Sequence, residues 1–243
     1  MITMSPADQL SLVAVLMMAS IHIMAVPLEH GLLDRPRWIS IANGLSVAYV
    51  VVHLLPELAE MQREWIEAWP DRPFRWLDRQ VYYAALIGLL LALGLDRLSS
   101  RTTTPGPRFW IHTISFAVYN VIIGGFALHI KRPSLLILAM CAFGAHFLVT
   151  DHGLNRLDGR AYARYGRWML AGAIVLGWLT AIATKPHVVV VAALTGLLSG
   201  GILLDVMKEE IPKKYEGHFP AFVGSALGYS LLLLLTRYSE VLG

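Results

Sequence analysis

The chain holds one cysteine, Cys141, among 243 residues. A single thiol excludes an intramolecular disulfide framework and cysteine-based zinc sites. Charge is scarce too. Asp, Glu, Lys and Arg make up 15% of the residues, against roughly 25% in a soluble domain. No nucleotide-binding motif occurs, so any driven process must draw on a gradient. No short-period repeat is visible. The net charge of +3 is small and spread over many segments, with no basic stripe for nucleic acid. No basic region or small-residue cleavage site precedes the first apolar run, which therefore reads as a retained span.

Apolar residues fill the space these absences leave. They form 56% of the chain, and the mean hydropathy is +0.57. The pattern predicts eight spans, at 8–28, 40–59, 81–98, 108–130, 134–153, 168–184, 187–207 and 219–238. Most approach the ~20 residues needed to cross a hydrocarbon core. Each must be a helix, because lipid offers no partner to an unpaired backbone group. The expected fold is an all-α integral membrane bundle forming one domain over residues 1–243. The intervening segments carry the breakers Pro36, Pro70, Pro73, Pro105, Pro107, Pro133, Pro186 and Pro212. The longest of them, Met61–Gln80, sets Trp65, Trp69 and Trp76 among charges, as in a segment lying in the headgroup region.

Lys and Arg divide 12 to 8 between the two sides if the N-terminus lies outside the cytoplasm. The first group contains Arg35, Arg37, Arg97, Arg101 and Arg108, then Arg156, Arg160, Arg164, Arg167, Lys208, Lys213 and Lys214. That bias places both termini outside, in a multi-pass protein of the cell membrane.

Ionisable groups recur inside these apolar runs. At membrane depth each costs about 2.5–3.5 kcal/mol on insertion scales, so each marks an interior pathway or site. His53 and Glu57 lie four apart on one helical face, beside Pro56, which removes a backbone donor and frees a carbonyl. His112 and Tyr119 lie about two turns apart, with Asn120 next and Gly124 and Gly125 beyond. His146 lies deep in the fifth span, which ends in Asp151 and His152. Asp205 and Glu209 share a face, where two carboxylates repel unless a cation or proton lies between them. Imidazole with carboxylate suits Zn²⁺ and related ions. A hydrogen-bonded pair, a helix cap or a packing histidine is the plainer reading of each group. In the expected orientation His22, Glu29, His30, His112, Asp151, His152, Asp205 and Glu209 gather towards the cytoplasmic half.

Taken together, these segments resemble the ZIP family of divalent-metal transporters. Ser199-Gly-Gly-Ile-Leu-Leu-Asp-Val-Met-Lys-Glu-Glu-Ile-Pro212, then a polar loop and a last span, is similar to that family's final two helices. His53-Leu-Leu-Pro-Glu57 is similar to its second-helix His-x-x-Pro-Glu. The family's fourth-helix His-Asn-x-x-Glu/Asp-Gly meets Tyr119-Asn120-Val-Ile-Ile123-Gly124 here. Its fifth-helix His-Glu-x-Pro-His-Glu-x-Gly meets His146-Phe-Leu-Val-Thr-Asp151-His-Gly153. Tyr119 and Ile123 stand where the family has a ligand His and an acid, so its usual two-metal centre is not intact.

The resemblance implies a ZIP-like bundle, a homodimer, and transport of a divalent transition metal. Zn²⁺ is the first choice, and Fe²⁺ and Mn²⁺ are the alternatives. His146, Asn120, Asp151 and Asp205 would line the path, with His152, His112, His22, Glu209, His53 and Glu57 as further metal candidates. The partners are membrane lipid and the metal ion, without nucleic acid. Three rivals stand beside this reading. One is a membrane-embedded zinc hydrolase built on His22, His112, Ser115, His146 and Asp205. Another is a bis-histidine haem protein using two of His22, His53, His129 and His146. The last is a transporter fold kept as a regulatory protein.

Overall fold

A computed structural model describes residues 4–28, 36–70, 79–210 and 217–242. Among them there is no strand. The helices are α1 Pro6–Leu28, α2 Pro36–Ala48, α3 Leu55–Ala68, α4 Gln80–Ser100, α5 Pro105–Ala127, α6 Pro133–Leu157, α7 Gly159–Ala161, α8 Arg167–Thr184, α9 Val188–Glu210 and α10 Phe219–Leu242. Two π-helical turns, Tyr49–Leu54 and Tyr162–Gly166, join α2 to α3 and α7 to α8. The result is eight rods long and apolar enough to cross a membrane. α1, α2, α5 and α6 each begin at a proline, where the missing N–H costs nothing and the fixed φ already suits the helix.

The second and sixth rods differ from the sequence expectation. The second does not stop near residue 59. It passes through Pro56 to Ala68, so the first part of the Met61–Gln80 segment is helix. The π turn makes this feasible. The Leu55 N–H reaches back five residues to the Val50 carbonyl, which resets the register before the proline. The sixth rod begins at Gly159 rather than 168. Asp158 accepts the Ala161 N–H at 3.0 Å and starts the helix inside an arginine-rich run that reads as loop by charge alone. The rest of the expected Trp-rich loop, including Trp76, lies outside the described residues, as do Glu29, His30 and Pro212.

The rods pack as two groups of four. α1, α5, α6 and α8 form one, through α5 against α8 and α1 against α8 and α6. The α2–α3 rod, α4, α9 and α10 form the other, through α4 against α9, α2 against α10 and α3 against α9. Glycines set the closest of these contacts. A Cβ on Gly124 would lie 1.9 Å from the Ile174 carbonyl oxygen, joining α5 to α8. One on Gly200 would lie 1.8 Å from the Ala85 oxygen, joining α9 to α4. Only glycine permits backbones that near. Between the groups runs a seam lined chiefly by α2, α5, α6 and α9. Since the rods alternate in direction, Pro6 and the end of α10 share one end of the bundle. We call it the termini side, and the other the far side.

Candidate functional site

The polar groups singled out in the sequence separate into three places. The first is a closed relay inside the α1/α5/α6/α8 group. His22 Nδ1 lies 2.8 Å from Asp151 Oδ2 and 3.1 Å from Oδ1. His22 Nε2 lies 2.8 Å from Asn120 Nδ2. Asn120 Nδ2 also donates to the Leu170 carbonyl at 3.2 Å. That carbonyl accepts only, so it fixes which end of the amide faces it. The second amide hydrogen then points at His22 Nε2, which must accept. The remaining ring proton sits on Nδ1 and is donated to Asp151. Tyr162 Oη donates to the His22 carbonyl at 3.3 Å, and Phe147 covers the imidazole with ring centroids 4.4 Å apart. His22, Asn120 and Asp151 are all buried. Both ring nitrogens are in use, so a metal could reach His22 only by dismantling the relay.

The second place is a cavity of about 290 Å³ at the far side of the seam. α5 and α6 line one wall with Arg108, His112 and His146. Asn43, Asp96, Asp205 and Lys208, from α2, α4 and α9, line the other. His112 Nε2 is 2.7 Å from Ser99 Oγ, and Lys208 Nζ is 2.5 Å from Asp96 Oδ1. His146 has a ring contact with Phe147 and no hydrogen bond among the described residues. It is the cavity's uncommitted imidazole. Tyr119 reaches across the seam from α5 to α9. A Cβ on Gly201 would lie 2.3 Å from its hydroxyl. The phenol thus occupies the gap that this glycine leaves.

The third place is a vestibule of about 480 Å³ at the termini side of the same seam. His53, Glu57 and Glu60 line it from α2–α3, Arg237 from α10, and Phe126 and His129 from α5 and the turn after it. Along the α2–α3 rod, Asn43 in the cavity and His53 in the vestibule are ten residues apart, about 15 Å of rise. Tyr49 lies between them. Its ring is 5.1 Å from His53 and 5.2 Å from Phe143, and Phe143 is 6.5 Å from Phe126. Tyr49, Phe126 and Phe143 are all buried, and Phe126 also lines the vestibule. The Tyr49 hydroxyl is buried with no hydrogen-bond partner among the described residues.

The ten candidate ligands therefore do not converge on one point. His22, Asn120 and Asp151 form the relay. His112, His146 and Asp205 face the far-side cavity. His53 and Glu57 face the vestibule. His152 follows the relay's Asp151 at the end of α6 and does not line the cavity. Glu209 lies on α9, with its side chain outside the described residues. Among the described residues, no group of three His, Cys, Asp or Glu side chains is close enough to share a metal ion. Sequence reasoning missed Asp96, Asn43 and Tyr49. Asp96 had a usable signal, being an acid just inside the end of an apolar span. Tyr49 had none, since an aromatic residue in such a run reads as packing.

Neither family models nor curated proteins give a match to this chain.

Proposed function

We propose that this protein is a ZIP-like membrane transporter that carries a divalent transition metal along the seam between its two helix groups. Zn²⁺ is the first substrate to test, with Fe²⁺ and Mn²⁺ after it. One observation carries the reading. Two polar chambers enter one seam from opposite ends, each walled by both groups, and the buried Tyr49 stands on the α2–α3 rod between Asn43 of one and His53 of the other. Sliding or rocking one group against the other would open each chamber in turn to the middle, which is alternating access. His146, Asp205, His112 and Asp96 supply imidazole and carboxylate to the far-side chamber. His53, Glu57 and Glu60 supply them to the vestibule. Ligands shared between two moving walls are apart in a resting state and meet when the walls approach. The arginine and lysine bias makes the far side cytoplasmic and both termini external.

The test is metal flux into liposomes holding the purified chain, with His146→Ala as the first variant. Flux of Zn²⁺, or of Fe²⁺ or Mn²⁺, should fall at least tenfold in a variant that melts like the parent. Tenfold corresponds to about 1.4 kcal/mol at the ligand step. Restoring the family pattern is the complementary test. Tyr119→His with Ile123→Glu empties the Gly201 gap and adds two donors on α5, and should strengthen Zn²⁺ binding. Absence of flux for all three ions in the folded parent rejects the reading.

A second reading draws on the relay. Its His22, Asn120 and Asp151 serve one another, and this suits a transporter fold kept as a regulatory protein. Metal that binds with no flux would favour it.

A further inference from the structure

The far-side ends of α5, α6 and the α7–α8 rod carry Arg108, Arg156, Arg160, Arg164 and Arg167. Asp158 is the only acid between Asp151 and Asp205 in the sequence, and its carboxylate caps the Ala161 N–H. Among the described residues none of these five arginines has an ion-pair partner. Aromatic rings take the place of acids. The Arg164 guanidinium stands 5.1 Å from the Tyr165 ring centroid, and that of Arg167 stands 5.2 Å from Trp168. Tyr165 lies 6.2 Å from Trp110 of α5, so the rings bridge two rods. Trp110, Tyr165 and Trp168 are all exposed, as are many apolar side chains along the rods.

A ring over a guanidinium face contributes attraction but accepts none of its five N–H groups. The ring leaves the edge donors of Arg164 available, in a fork that matches two phosphate oxygens, whereas Arg167 holds its Nε buried and offers its terminal nitrogens. Exposed indoles beside them suit the interfacial layer of a bilayer rather than bulk water. We infer that the Arg160–Arg164–Arg167 surface, with Trp110, Tyr165 and Trp168, is a binding site for the headgroup of an anionic phospholipid. The inference rests on membrane insertion of the bundle but not on transport. A lipid, rather than free phosphate, is the ligand because the indoles add an apolar contact that a bare anion cannot use. The π turn Tyr162–Gly166 carries Arg164 and Tyr165 of the site and sets the path of the rod between Arg160 and Arg167.

Native mass spectrometry of the purified full chain tests this, with phosphatidylglycerol and phosphatidylcholine of matched acyl chains as probes. Phosphatidylglycerol should be retained preferentially. Arg160→Gln with Arg164→Gln should lower that retention at least tenfold, since basic residues at a charged surface act roughly additively. Arg97→Gln with Arg101→Gln, at the same end but on α4, should leave it within about twofold. Equal retention of both lipids overturns the site. So does an equal loss in the α4 pair, which would mean diffuse charge. Displacement of the lipid by an equal concentration of inorganic phosphate overturns the choice of a lipid ligand. If the arginine variants fail to fold, nitroxide-headgroup phosphatidylglycerol decides with the parent chain. Its quenching of tryptophan fluorescence should drop when Trp110 and Trp168 become Phe, and an unchanged quench rejects the site. None of these readouts requires metal flux, so a failed transport reading leaves the lipid result standing, and the reverse.

Discussion

The relay and the far-side cavity hold the same kinds of side chain, but only the cavity leaves an imidazole over. In the relay, imidazole, carboxylate and amide satisfy one another, and the Leu170 carbonyl fixes the direction of every hydrogen bond. In the cavity, His112 bonds to Ser99 and Lys208 pairs with Asp96, while His146 makes no hydrogen bond among the described residues, and the polar groups come from both helix groups. A closed set of buried polar groups holds helices together, because each member is costly to leave alone. An open set invites a ligand. The two regions show that an ionisable residue in an apolar helix is informative only once its partners are known.

The strongest way to break this contrast is to damage the relay. Asp151→Ala leaves His22 buried with an unanswered donor and should destabilise the bundle by about 3 kcal/mol, near the upper end for such groups. His22→Leu with Asp151→Leu removes both partners and should cost less than the sum of the single changes. Thermal unfolding in detergent measures both. If Asp151→Ala melts like the parent and instead abolishes flux, the relay is a site and the contrast fails.

The cavity should show the reverse pattern. His146→Ala should cut flux at least tenfold while the melting temperature stays unchanged, and a fall in melting temperature with intact flux would make His146 a packing residue. Asp205→Asn removes a charge at nearly constant shape. It should lower flux several-fold more than Glu210→Gln, at the end of α9. Equal effects would mean that this end of α9 is simply solvated.

The smallest effect belongs to the vestibule. His129 lies between the spans of α5 and α6. Burial pushes its imidazole below the ordinary 6.5, with Lys131 acting the same way and its bond to the Gly125 carbonyl opposing. The unfolded chain therefore takes up this proton first as pH falls through 6.5, and the fold loses stability there. His129→Gln should narrow the difference in melting temperature between neutral and mildly acidic buffer. No narrowing would place the acid sensitivity elsewhere.

Much of the architecture was legible because lipid leaves a helix as the only open answer to a long apolar run. The two boundary errors have a common cause. Charge density marked Met61–Ala68 and Gly159–Arg167 as loops, yet a π turn accompanies each and helix continues through it. Such turns leave no composition signal. The candidate residues were legible as ionisable groups in apolar surroundings. Their grouping was not legible. Nothing in the spacing of His22, Asn120 and Asp151 says that they meet, since they lie 129 positions apart at the extremes. Tyr119 illustrates the same limit. It reads as a lost ligand in the motif, while its contact with Gly201 depends on how α5 and α9 lie together.

The pairing of rods also bears on how the molecule is made. α4 packs on α9, α5 on α8 and α2 on α10, so most large faces join segments far apart in the chain. During synthesis the α2–α3 rod and α4 enter the membrane long before α9 and α10 emerge, and until then the α4 face that receives Gly196 and Gly200 of α9 has no mate. The second helix group can close only when the last two rods arrive. Early rods must wait as inserted but unassembled helices, open to wrong neighbours or to the quality-control machinery. Docking of α9 and α10 is what completes the second helix group.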